Sequence, residues 1–214
     1  MKSIYLFLIL IGLNMQAQTN LEKAEAYFKS SKFSQALPLF NDLLSENPND
    51  LQILEYLGDI NGSLQNWDKA IFYYKKLKTL RPYDANFQFK YGGVLGMKAK
   101  YANKFTALGM IPEIKKSFEK AIELNPKHIQ ARWALVELYI QLPGIAGGSE
   151  RKARKYSDEL LAISPVDGYL SKGRIEVYFE NYDKAEVQLL KAYEISNSKV
   201  ALQKLNELKK LKAP

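Results

Sequence analysis

Pro48, Pro82, Pro126 and Pro165 set the frame of this chain. The first two are 34 residues apart, and the next intervals are 44 and 39 residues. A period of 34 is the length of a helix–turn–helix repeat. The longer intervals are the same repeat with insertions of ten and of five residues. A chain with this spacing is expected to stack helical hairpins, each burying its apolar face against its neighbours. Such arrays serve as binding surfaces far more often than as catalysts.

The residues around the prolines agree with one another. Ala36, Ala70 and Ala153 stand twelve positions before a proline, and Phe40, Tyr74 and Phe118 stand eight before. Leu43, Leu77, Ala121 and Leu160 stand five before. Small residues let two helix backbones approach, and large ones fill the space between layers. Proline suits the helix end, since it cannot continue the helix. In the preceding helices, Leu57-Gly58, Tyr91-Gly92 and Leu135-Val136 repeat a large residue followed by a smaller one.

This pattern resembles the tetratricopeptide repeat (TPR). The fold implied is all-α, a TPR helical-hairpin solenoid forming a right-handed superhelix with a C-terminal capping helix. The expected divisions are 18–50, 51–84, 85–128, 129–167 and 168–197, then a capping helix over 198–214. In that last helix Val200, Leu202, Leu205, Leu208 and Leu211 fall on one face.

Residues 1–17 read as a signal peptide. Lys2 is the basic start, Ile4 to Leu13 the apolar run, and Ala17 the small residue before a cut at Gln18. The run is too short to span a bilayer, which takes about 20 residues. The chain has no cysteine, so no lipid-anchoring cysteine, disulfide or thiolate metal site is expected. A periplasmic or secreted protein is the expected localisation. The full chain carries a net charge of +8, of which Lys2 supplies one. Clusters such as Lys75-Lys76-Lys78-Arg81 and Lys98-Lys100-Lys104 suit an anionic partner or simply a solvated surface. Nucleic acid is not an expected partner for an exported chain.

The first insertion, Gly96 to Pro112, is expected to lengthen one helix and add a crossing segment before Pro112. The second, Leu142 to Glu150, reads as a non-helical loop, with Ser149 as N-cap of the following helix. Gly147, Gly148 and Ser149, followed by Arg151 and Lys152, form a candidate anion site. The other reading is a structural turn anchored by a buried Ile145.

The segment KKSFEKAIELNP and the following HIQARWALVELYIQLPGIAGGSERKA resemble a family of exported bacterial TPR proteins. The family's mark is a PGIAGGS loop, here Pro143 to Ser149, preceded by a lysine-rich insertion. The resemblance covers residues 85–165 and implies no biochemical activity. A looser, architectural similarity is to the periplasmic TPR component of TRAP-type transporters, which is linked to ligand delivery.

No catalytic constellation stands out, and no enzyme, metal or cofactor is expected. The single histidine, His128, reads as a helix-start residue. Carboxylate pairs such as Glu22 with Glu25 and Glu55 with Asp59 are ordinary on solvated helix faces. The candidate site is instead the inner face of the first helices, at the second, fifth and ninth positions of each unit. Counted three residues after each proline, these are Gln52, Glu55 and Asp59; Asn86, Phe89 and Gly93; Gln130, Trp133 and Glu137; and Tyr169, Lys172 and Glu176. Phe89, Trp133 and Tyr169 would form an aromatic ladder for a protein or peptide partner. A small ligand held by a transport accessory is the other reading.

Overall fold

The computed structural model describes residues 20–212, so the leader read at 1–17 lies outside them. The helices are α1 (residues 20–29), α2 (Phe33–Glu46), α3 (Leu51–Ser63), α4 (Trp67–Leu80), α5 (Ala85–Tyr101) and α6 (Lys104–Leu124). Then follow α7 (Ile129–Gln141), α8 (Glu150–Ile163), α9 (Pro165–Tyr178), α10 (Tyr182–Ser196) and α11 (Lys199–Lys212). No strand occurs among the described residues. The chain divides into two compact units at Ala107–Leu108.

In the first unit, the periodic residues are the core. Ala36, Phe40 and Leu43 of α2 and Ala70, Tyr74 and Leu77 of α4 are buried. Gly58 is required by contact: a Cβ there would lie 2.8 Å from the Tyr74 ring. The turns that carry Pro48 and Pro82 end in an aspartate that caps the next helix. Asp50 accepts the Gln52 and Ile53 amides, and Asp84 accepts those of Asn86 and Phe87. In the α1–α2 and α3–α4 hairpins the turn uses one residue in the left-handed region, Ser31 (φ 55°) and Gln65 (φ 60°).

The second unit repeats the scheme. His128 caps α7 through Nδ1, which accepts the Ala131 amide at 3.2 Å, and Glu180 takes the left-handed turn position at φ 58°. Pro165 does something different from its predecessors. Ser164 alone separates α8 from α9, and Pro165 is the first residue of α9. Such a short link forces the two helices together. A Cβ on Gly168 would lie 2.3 Å from the Leu161 backbone, and the Ser157 and Ser171 hydroxyls bond each other at 2.7 Å. The fifth unit therefore starts earlier than 168. Gly173, twelve residues before Ala185 and packed on Leu189, holds the place that Gly58 holds before Ala70 and Tyr74.

Both insertions replace the same feature, the turn inside a hairpin. The first does not make a separate crossing segment. It extends α5 to Tyr101 and gives α6 a 21-residue run straight through Pro112, with Asn103 accepting the Thr106 amide at 3.0 Å. A proline nine residues into a helix removes one backbone bond without ending it.

The second insertion folds as a 3-10 turn (Gly144–Ala146) followed by Gly147 at φ 93°. Ile145 is fully exposed, so it does not anchor the loop. The anchoring is done by the backbone: the Ser149 amide donates to Tyr139 O at 2.9 Å, and Gly148 donates to Pro143 O at 3.1 Å.

The C-terminal α11 does close the α9–α10 hairpin. Leu205 and Leu208 join Ala185 and Leu189 in one cluster. Val200, Leu202 and Leu211, expected on the same buried face, are half exposed.

Candidate functional site

In the first unit, two of the residues expected on the inner face, Glu55 and Asp59, are engaged by Lys90. Lys90 Nζ lies 2.7 Å from Glu55 and 2.8 Å from Asp59. Asp59 also accepts the Tyr74 hydroxyl. Burial, reinforced by the Asp59 and Glu55 charges, pushes the Tyr74 phenol far above its ordinary range. Burial alone would lower the Lys90 ammonium, yet its hydrogen bonds to Asp59 and Glu55 raise it on balance. Glu55 and Asp59 thus form a closed polar cluster and not a pair of open carboxylates. Asn86 is exposed, Phe89 half-buried, and a Cβ on Gly93 would meet nothing within 4 Å.

In the second unit the structure corrects the fifth-unit residues. The register fixed by Gly173 gives the second, fifth and ninth positions to Asp167, Leu170 and Arg174, not to Tyr169, Lys172 and Glu176. The three expected residues turn toward α8 and α10. Tyr169 lies beneath Lys191, whose Nζ is 5.5 Å from the ring centroid. Lys172 pairs with Asp158 at 2.8 Å. Glu176 is buried against Arg154 at 2.7 Å. Burial pushes the Glu176 carboxyl up, but its bond to Arg154 wins and holds it below the usual range. The difference arises at Pro165, which starts a helix where the earlier prolines sit in turns. The signal that reveals it was available: the twelve-residue spacing of Gly58 and Ala70 recurs at Gly173 and Ala185.

With that register, the corresponding positions of α7 and α9 are joined by hydrogen bonds. Trp133 Nε1 donates to Asp167 Oδ1 at 2.8 Å. Arg174 holds Glu137 with two bonds of 2.8 and 3.0 Å. Gln130 is exposed beside them. Next to Trp133 opens a partly enclosed cavity of about 380 Å³. Its walls are Leu170, Gly173 and Val177 of α9, Leu189 of α10, and Val200, Leu208 and Leu211 of α11, with Glu137–Arg174 and Lys204–Glu207 at its edges. The volume is that of a site for a small molecule or for one or two large side chains. The sequence singled out Trp133 and Glu137 but not the wall from α11, because a capping helix is expected to leave no gap.

The loop does not present a cradle for an anion. The amides of Ala146, Gly147, Gly148 and Ser149 all donate to carbonyls within or beside the loop. The Ser149 hydroxyl accepts the Lys152 amide at 3.3 Å, as expected of an N-cap. Arg151 and Lys152 are exposed. The next basic residue, Arg154, is tied to Glu150 at 2.7 Å and to Glu176.

Residues 21–85 match the family model for the tetratricopeptide repeat. No curated protein is similar to the chain in sequence. Among solved structures, the thermophilic TPR protein TTC0263 of Thermus thermophilus is 18% identical with a TM-score of 0.70, covering 90% of this chain and 98% of that one. YrrB, described as a TPR protein with an unusual peptide-binding site, is 17% identical with a TM-score of 0.57, covering 89% and 90%. The human IFIT1 dimer with PPP-AAAA is 23% identical with a TM-score of 0.73, covering 88% of this chain and 44% of that one. The chain is thus all-α, with the helical-hairpin fold of TPR proteins.

Proposed function

We propose that this chain is a non-catalytic exported binding protein, and that its second unit seats an apolar side chain of a protein partner against Trp133. The carrying observation is the cavity of about 380 Å³, with apolar walls and an indole fixed in place by Asp167. A positioned aromatic beside a desolvated pocket is the usual anchor of a binding interface. The ion pairs at its edge leave few charges to recruit a polar ligand. Peptide binding is named for YrrB, a protein of the same fold. Export rests on the leader at residues 1–17, and sequencing the mature N-terminus tests it: a chain beginning at Gln18 is expected.

The test of the site is selection from a random peptide library by the parent protein and by Leu170→Glu. The parent should enrich peptides with a large apolar residue at one fixed position, and the variant should not. Equal enrichment by both removes this reading. The volume also favours a second reading, a small apolar ligand carried for a transport system. Native mass spectrometry of protein purified from its own host separates the two. A small molecule retained by the parent and absent from Leu170→Glu supports the ligand reading.

A further inference from the structure

The first insertion carries a surface that the Trp133 cavity does not use. The first buried residue of α6 is Ile114. None of the ten residues ahead of it is fully buried, although they include Phe105, Leu108, Met110 and Ile111. Phe105 is 89% exposed and Leu108 47%, three positions apart and so on one helix face. Just before them, at the end of α5, Tyr101 is 60% exposed and stacks on Trp67 with ring centroids 5.9 Å apart. An apolar cluster of this kind in water marks an interaction surface.

The charges that the segment itself carries have one sign. No acidic residue occurs between Asp84 and Glu113, while Lys90, Lys98, Lys100 and Lys104 do. Lys90 is taken up by Glu55 and Asp59, and Lys98 pairs with Asp68. Lys100 and Lys104 are exposed and flank Tyr101 and Phe105. Rings at the level of lipid headgroups, with lysine stems reaching toward phosphates, are how proteins rest on a bilayer without crossing it. No helix among the described residues is long and apolar enough to cross a membrane.

We propose that the α5–α6 turn, Tyr101 to Leu108, docks on an anionic lipid surface. Phe105 and Leu108 enter between the headgroups, and Lys100 and Lys104 lie over the phosphates. A fluid surface accepts outward-pointing side chains without a preformed pocket, which an acidic protein partner would have to supply. That difference favours lipid.

The chain has no cysteine, so a single introduced one carries a polarity-sensitive dye to a chosen point. Thr106→Cys places the dye beside Phe105, and Ser45→Cys on α2 is the control. Vesicles of phosphatidylglycerol and phosphatidylcholine in equal parts should blue-shift the dye at 106 and leave the dye at 45 unchanged. Phosphatidylcholine alone should give little shift. Adding Phe105→Asp should weaken binding about tenfold or more. Lys100→Glu with Lys104→Glu should weaken it about fivefold per residue. Both sets alter only exposed side chains, and circular dichroism checks that the helices persist. Three results overturn the proposal: no shift at 106 with anionic vesicles, equal shifts at 106 and 45, or a shift unaffected by Phe105→Asp. A shift with polyglutamate but not with vesicles would assign the turn to an acidic protein and overturn it equally.

Discussion

Trp133 and Asp167 are 34 residues apart and joined by a hydrogen bond of 2.8 Å from Nε1 to Oδ1. The bond fixes the indole at the mouth of the cavity by tying one hairpin's first helix to the next. Asp167 is itself held, since the Ser164 hydroxyl donates to its Oδ2 at 2.6 Å. Asp167→Ala leaves a half-buried indole N–H without its acceptor and loosens the start of α9. A loss of about 1–3 kcal/mol is expected by urea unfolding. Asp167→Asn keeps an acceptor carbonyl and should recover most of it. Equal losses for the two variants would mean that the indole bond contributes little.

Two glycines on first helices should respond in opposite directions. Gly168→Ala drives a Cβ to 2.3 Å from the Leu161 backbone, at a helix contact held by a one-residue link. Backbone cannot yield as a side chain can, and a loss of about 3 kcal/mol is expected. Gly93→Ala adds a Cβ that meets nothing within 4 Å, in the middle of α5. Removing backbone freedom there should stabilise by about 0.5–1 kcal/mol. Thermal melts of both variants check the pair, and a stabilised Gly168→Ala protein would contradict the α8–α9 packing.

The core was legible in the sequence because packing repeats with the period. Ala36 and Ala70, Phe40 and Tyr74, and Leu43 and Leu77 are all buried in successive hairpins, so burial follows the spacing. The candidate site was legible only where the turns keep four residues. Trp133 and Glu137 follow such a turn and line the cavity between α7, α9 and α11. Tyr169, Lys172 and Glu176 follow the shortened link at Ser164 and do not line it. The path of the first insertion was hidden for a different reason. Pro112 reads as a break, but local propensity does not reveal whether a helix continues past one lost bond. Ile145 looked like an anchor on hydrophobicity alone, whereas Gly148 and Ser149 amides do that work through the backbone.

That loop gives a sharp separation between side chain and backbone. Ile145→Asp should change stability by less than about 0.5 kcal/mol, since the residue is fully exposed. Gly147→Ala forces a Cβ into the left-handed region at φ 93° and should cost about 1–2 kcal/mol. Gly148→Ala should cost more, because its Cβ would fall 1.8 Å from the Leu142 carbonyl oxygen. Differential scanning calorimetry of the three variants gives the order. A lower melting temperature for Ile145→Asp than for Gly148→Ala would reverse the account.

His128 gives the fold a dependence on pH with a defined sign. Its Nδ1 accepts the Ala131 amide at 3.2 Å, which requires that nitrogen to be unprotonated. Burial, then the charge of Arg132, lowers the imidazole below its ordinary value of 6.5. The unfolded chain therefore binds the proton more readily than the folded one. The stability this contributes is complete above pH 6.5 and is lost as the pH falls from there toward the folded-state value. His128→Asn retains a capping acceptor for the amide and has no proton to gain. Unfolding free energies measured by urea across that range should fall with pH for the parent and fall less for His128→Asn. Parallel curves for the two proteins would show that His128 is not the group responsible.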